Sequence, residues 1–275
     1  MTSTEQSRAA LTHWYNHMWG RVDFDLIPEI AAPRYLRHDI TGANNLMPAE
    51  AYRDMLKPAL GHLKVESFTY HLTCEEGYVG ALGRFILSGD RQWDWVQLFR
   101  VEDHRLAETW LAGMGGTDRN GYPHPRNTWT GTEIPTTTLS ETDPKRAVRA
   151  WLQSLADQQT TSGSLAETVR VHDQFSRDRE MSATELQGHM LKLMHTQSVQ
   201  DFHHFLIAEG DMVYATCSWK LDGNRQWDWL QAFQMEDGKV RRTWLPVIGG
   251  TDTQLKVGPE TRWAADALPA GSVVL

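Results

Sequence analysis

A chain of 275 residues with 40% hydrophobic side chains and a formal net charge of −8 is long enough for two packed domains. It lacks any cluster of Lys or Arg able to follow a phosphate backbone, which argues against a nucleic-acid partner. It also lacks an apolar run of about 18 residues and a basic-then-apolar leader, so neither a membrane span nor a secretory signal is expected.

The first predicted element is a helix over Glu5–Trp19, with apolar positions at Ala9, Leu11, Trp14, Tyr15 and Met18. A short helix over Asp25–Ala31, an extended piece around His38 and a helix from Pro48 to His62 follow. Four strands are then expected at 64–75, 78–88, 91–102 and 105–113, parted by the turn formers Glu-Gly, Gly-Asp and Glu-Asp-His. Residues 119–142 are rich in Pro, Thr, Asn and Gly and read as a linker. Beyond it Asp143 is the expected N-cap of a helix over Pro144–Leu155, with Pro144 at its first position. A helix over Ala183–Thr196 is announced by Ser182 and Glu185, spaced as a capping box. Strands at 198–209, 212–221, 225–236 and 239–247 complete the second set, and no pattern follows Thr253.

The two sets are copies. Residues 91–118 and 225–252 are identical at 16 of 28 positions without a gap, at an offset of 134. The same offset carries His38-Asp39 onto His172-Asp173. Trp14 and Trp151 align if the second copy is three residues shorter after its first helix. Helices first and an antiparallel meander last is an α+β pattern. The expected domains are 1–118 and 143–252, with the linker 119–142 between them and a tail over 253–275. The two cysteines, Cys74 and Cys217, do not match between copies and have no metal-type spacing. Two free thiols in a reducing cytoplasm are the expectation.

Three helices followed by four strands ending in Phe99-Arg100-Val101-Glu102-Asp103 to Glu108-Thr109-Trp110, repeated at Phe233 to Trp244, resemble the SnoaL-like polyketide cyclase family of the nuclear transport factor 2-like superfamily. Tyr35-Leu36-Arg37-His38-Asp39 is similar too. The resemblance implies two tandem cone-shaped α+β barrels. Each curved sheet would enclose an apolar pocket, and the copies would form an intramolecular pseudo-dimer. Cyclases, isomerases, epoxide hydrolases and non-enzymatic binders share this fold, so it does not fix the activity. The sequence departs from the cyclase type at Gln97/Gln231, Thr109/Thr243 and Leu111/Leu245, where acids or histidines are usual. Glutamine, threonine and leucine carry no proton near neutral pH.

Histidine titrates there, so His38, His172 and His204 are the candidate catalytic residues. The resemblance turns His38 and His172 inward, although adjacent Asp39 and Asp173 point to the opposite face of an extended segment. Alternation places Trp93, Trp95, Gln97 and Phe99 on one strand face, and Trp227, Trp229, Gln231 and Phe233 repeat them. Such a stripe is either core or the seat of a flat organic ligand. The candidate substrate contacts are Trp95, Gln97, Trp229, Gln231, Tyr70, Thr109 and Thr243. His204 is expected to approach His172, as Tyr70 would His38. Asp94 and Asp228 lie on the other face, where Arg91, Arg225 or the opposite sheet could hold them. No matched set of three metal ligands occurs in both copies. No metal or cofactor is therefore expected, with His38/Asp39 or His172/Asp173/His204 as the seeds of a metal-dependent alternative. The functional expectation is a cytoplasmic enzyme of secondary metabolism that cyclises, isomerises or rearranges a hydrophobic, oxygenated substrate. A non-catalytic ligand-binding protein is the alternative.

Overall fold

A computed structural model describes residues 3–39, 45–89, 91–116, 135, 138–159, 163–173, 177–194, 198–246, 248–250 and 268–275. Most of the linker and the tail up to residue 267 lie outside the described residues. Helix α1 (Ser3–His13) runs directly into wider π-type turns over Trp14–Trp19. A 3-10 turn (Phe24–Leu26) and the short α2 (Ile27–Ile30) lead into β1 (Ala31–Asp39), β2 (Asn45–Pro48) and α3 (Ala49–Leu60). The strands β3 (Val65–Glu75), β4 (Tyr78–Leu87), β5 (Arg91–Glu102) and β6 (Arg105–Gly116) follow. The second half runs α4 (Asp143–Ala156), β7 (Leu165–Asp173), β8 (Arg177–Ser182), α5 (Ala183–Met194), β9 (Val199–Glu209), β10 (Met212–Leu221), β11 (Arg225–Glu236), β12 (Lys239–Leu245) and β13 (Ile248–Gly250). A last strand, β14 (Val273–Val274), ends the chain.

The fold is α+β with two mixed sheets. The first is ordered β14-β3-β4-β5-β6-β1-β2 and the second β8-β7-β12-β11-β10-β9, with β13 on β11. The expected meander is present in both. To it the structure adds parallel pairing of β1 with β6 and of β7 with β12. The registers match at the repeat offset: Arg37 lies beside Thr109 and His38 beside Trp110, as Val171 lies beside Thr243 and His172 beside Trp244. Pro246 has no N–H to give a ladder, and the last strand of the second half divides there into β12 and β13. One helix start also moves: Thr142, not Asp143, takes the N-cap position of α4.

Each sheet is buried on both faces. One face of the first sheet packs on α1, the π segment, α2 and α3, through Leu11, Trp14, Tyr15, Phe24, Tyr52, Phe68, Trp95 and Phe99. One face of the second packs on α4 and α5, through Trp151, Leu152, Leu186, Trp219, Trp229 and Phe233. The remaining faces meet each other through Tyr78, Leu82, Val96, Leu98 and Trp110 on one side and Phe205, Ile207, Met212, Tyr214, Leu230 and Trp244 on the other. The layers are therefore helices, sheet, sheet, helices.

The seam between the sheets is reciprocal. The Glu75 carboxylate accepts from Lys145 Nζ at 2.6 Å and from the Ala208 backbone N–H at 2.7 Å. The Glu209 carboxylate accepts from Arg8 and from the Cys74 backbone N–H at 2.9 Å. Positions 75 and 209, like 74 and 208, are 134 apart, and 8 and 145 differ by the helix offset of 137. Each half thus sends a carboxylate to a strand (β9 or β3) and to the first helix of the other. Nearby, a Cβ on Gly80 would lie 2.5 Å from the ring of Tyr214, so this glycine is required by a close approach. Position 214 is the repeat equivalent of position 80.

Candidate functional site

The first half holds a cavity of about 50 Å³ between its helices and its sheet. The π-type turns bring Trp14 and Trp19, five residues apart, onto one face, and both line it with Tyr15. Helix α3 supplies Tyr52 and Leu56, and the sheet supplies Arg37, Phe85, Trp95, Gln97, Thr109 and Leu111. Trp95 lies parallel to Phe68, with centroids 5.5 Å apart and planes at 5°, and 4.7 Å from Phe85. That placement requires Gly83, where a Cβ would meet the Trp95 ring at 2.2 Å.

The polar groups of this cavity form a short chain. Gln97 Nε2 donates to Thr109 Oγ1 at 2.9 Å, and Thr109 Oγ1 donates to the Leu98 carbonyl at 3.0 Å. The Tyr15 hydroxyl donates to Gln97 Oε1 over a long 3.4 Å. Burial pushes the Tyr15 phenol well above its ordinary range, so it remains a donor. Arg37 is 6% exposed, and its guanidinium lies 4.3 Å over the Tyr52 ring.

The corresponding space in the second half is only about 10 Å³, hardly room for one water. Gln231, Thr243, Asp173, Trp151, Leu186 and Met190 line it. Gln231 Nε2 donates to Thr243 Oγ1 at 2.7 Å, as in the first half. Side-chain substitutions account for the difference in room. Cys217 occupies the position of Gly83, and Trp219 that of Phe85. Trp229 therefore stands edge-on to Trp219, at 4.8 Å and 78°, and donates to Gln231 Oε1 at 3.3 Å. Arg37 is matched by Val171 and Tyr52 by Leu186, and Trp19 by Ala156 at the helix offset.

The expected catalytic histidines are not on these walls. His38 stacks on Trp110, with centroids 5.0 Å apart, and bonds Glu108 at 2.6 Å. His172 stacks on Trp244 at 5.3 Å, beside Arg242 at 3.4 Å. Both tryptophans belong to the seam between sheets, so both histidines face away from the cavities. The inward expectation is corrected, and the pocket-facing neighbours are Arg37 and Asp173. Burial raises the Glu108 pKa, but hydrogen bonds from His38 and Arg100 outweigh it, and the carboxyl ends below its usual range.

His204 lies four strands from His172 in sheet order and on the helix-facing side, so the two do not meet. It stacks on Phe202 at 4.9 Å and contacts the Arg149 guanidinium. Burial, then the Arg149 charge, pushes its pKa down to about 4. Tyr70 donates to Asn16 Oδ1 at 2.6 Å and is core rather than cavity wall. Trp229 is likewise core. Of the expected contacts, Trp95, Gln97 and Thr109 share the first cavity, and Gln231 and Thr243 share the second. Asp94 bonds Arg84 at 3.0 Å and Gln92 at 2.8 Å within its own sheet, and Asp228 bonds Gln226. Sequence reasoning missed Arg37, Tyr15 and Trp19. The signal for Arg37 was a charged residue beside His38 that is replaced by valine at the same offset in the second half. Among the described residues no group of three His, Cys, Asp or Glu side chains could hold a metal, and no helix is long and apolar enough to cross a membrane.

No protein-family model matches the chain, and no curated protein matches it. Solved structures similar to it include a steroid delta-isomerase from Pseudomonas aeruginosa, 17% identical over 42% of this chain and 82% of that one, with a TM-score of 0.33. An LEH-like epoxide hydrolase of M. tuberculosis is 14% identical over 40% of this chain and 83% of its own, at 0.34. An NTF-2 like protein of unknown function from Burkholderia xenovorans is 16% identical over 39% and 83%, at 0.33.

Proposed function

We propose that the chain is a tandem pair of SnoaL-like domains, two curved-sheet α+β cones forming an intramolecular pseudo-dimer, and that the cavity of the first half is its working site. The reciprocal Glu75 and Glu209 bonds support the pseudo-twofold, because a twofold interface makes every contact twice with the partners exchanged. The substrate is a small, flat, hydrophobic and oxygenated molecule, polyketide-like or aromatic, and the reaction is a cyclisation, isomerisation or related rearrangement. One observation carries this reading: an aromatic wall of Trp14, Tyr15, Trp19, Tyr52 and Trp95 surrounds the Gln97, Thr109 and Arg37 polar groups.

In this mechanism the aromatic faces fix the ring plane of the substrate. Its carbonyl oxygen replaces Gln97 as acceptor of the long Tyr15 hydrogen bond. Tyr15 stabilises negative charge that develops on that oxygen as an enolate forms. Holding the reacting atoms in one conformer supplies the rest of the acceleration. Protons pass to and from solvent or the substrate itself.

A second reading, a non-catalytic binding protein, is favoured by one observation. Among the described residues lining the first cavity there is no His, Asp or Glu.

The test is a fluorescence and calorimetric titration with oxygenated aromatics of one and two rings, followed by product analysis. Leu111→Trp fills the first cavity and should remove binding, whereas Leu245→Trp in the second half should leave binding intact. Binding that survives Leu111→Trp overturns the assignment of the site. Binding without product across cyclisable and isomerisable substrates selects the second reading.

A further inference from the structure

The two cavities differ in charge as well as in room. The described wall of the first includes one charged side chain, Arg37, and that of the second includes one of opposite sign, Asp173. At the equivalent position of the second half the arginine is Val171, an apolar residue in the same strand and register. A cation at this place is therefore particular to the first half. A buried guanidinium is costly to desolvate, and the position opposite Thr109 accepts valine in the twin sheet.

What the arginine adds is recognition. A guanidinium carries five N–H donors in one plane and matches a carboxylate with two of them. Here its Cζ lies 4.3 Å over the centre of the Tyr52 ring. A second donor is close at hand. Trp14 is 1% exposed, lines the same cavity, and its indole N–H has no acceptor among the described residues. A buried donor without an acceptor is expensive in a finished core, and a ligand oxygen would supply one. The apolar remainder of the wall, Trp19, Leu56, Leu60, Phe85 and Leu111, suits a ring rather than a polar chain. The cavity volume of about 50 Å³ corresponds to about four waters, the size of one substituted ring.

We infer that the first cavity selects an anionic ligand, a single-ring aromatic carboxylate, whose carboxylate pairs with Arg37 while its ring lies among Trp95, Phe85 and Trp19. This rests on the reading of that cavity as the ligand seat. The second cavity, with Asp173 and no arginine, takes no such ligand.

The experiment compares benzoate with benzyl alcohol, its neutral analogue of similar size, on the full chain at pH 7 by titration calorimetry. Benzoate should bind about 10- to 100-fold more tightly, the usual worth of charge-assisted hydrogen bonds. Arg37→Met should bring the two within about twofold of each other by weakening benzoate alone, since only the ionised donor is lost. Arg37→Val, which installs the residue of the other half, should do the same. Leu111→Trp should remove both ligands. If the wild-type chain binds both probes equally, or if Arg37→Met keeps the preference, the anionic inference is wrong while the cavity remains a ligand seat. If neither probe binds the wild-type chain, the inference and the reading beneath it both fail. The wild-type comparison needs no variant, so an unfolded Arg37→Met protein leaves the question decidable.

Discussion

At the scale of single residues, Gly83 and His204 make separable predictions. Gly83→Ala puts a Cβ 2.2 Å from the Trp95 ring, and that ring is held on its other contacts by Phe68 and Phe85. Overpacking of this kind destabilises by about 1–3 kcal/mol, which urea unfolding should register. The variant should also lose ligand affinity, because Trp95 must leave the cavity wall. His204 has its folded pKa near 4, below the ordinary value of about 6.5. Between those values the unfolded chain binds a proton that the folded chain refuses. Stability is therefore full above pH 6.5 and falls as the pH drops through this window. His204→Gln should flatten the dependence of melting temperature on pH there, and an unchanged acid limb would contradict the assignment. The stripe of Trp93, Trp95, Gln97 and Phe99 was legible in the sequence because alternation is local. The orientation of His38 was not. Its strand lies between a helix layer and a second sheet, so both faces are buried and alternation no longer separates inside from outside.

At the scale of elements, the capping box ahead of α5 was read correctly. Ser182 and Glu185 exchange bonds, with Glu185 N–H donating to Ser182 Oγ at 3.2 Å and Ser182 N–H to Glu185 Oε2 at 2.8 Å. Ser182→Ala should lower stability by about 0.5–2 kcal/mol, measurable as a shift in urea midpoint. The same change at Pro48, the N-cap of α3, has no side-chain bond to lose and should matter less on that account. Strand limits were legible because Gly, Asp and Glu turns bound them. The parallel pairing of β1 with β6 was not, since it joins segments some 70 residues apart with no local signal. The π-type turns over Trp14–Trp19 were read as ordinary helix, although the three extra residues of the first copy fall just after them. Strand β14 could not be foreseen either. It is two residues long and gains its place by covering the edge of β3, with backbone bonds between Leu275 and Phe68.

At the scale of the whole molecule, the two reciprocal carboxylates should contribute unequally. Glu75 and Lys145 have side chains only 13% and 2% exposed, whereas Glu209 and Arg8 are 41% and 42% exposed. Breaking the buried pair leaves a desolvated cation, so Glu75→Gln should destabilise by about 3 kcal/mol or more. Loss of the exposed ion pair in Glu209→Gln should cost below about 1 kcal/mol. Chemical denaturation of both variants checks the ranking, and equal losses would mean the backbone bonds to Ala208 and Cys74 dominate. Both meanders were legible because the turn formers that part their strands are written in the residues. The inequality of the two cavities was not, because it turns on what stands opposite a tryptophan, Gly83 in one sheet and Cys217 in the other.

Tyr214 resting on Gly80 has a consequence for how such a molecule can change. In an assembly of two identical chains, a residue near the axis faces its own duplicate. Two tyrosines would collide there, and two glycines would leave a hole. A single gene encoding both copies can set a large residue against a small one. It can equally let one cavity close into a buttress while the other stays open. On the function proposed above, calorimetry should return one molecule of ligand per chain, where an unfused pair would take two.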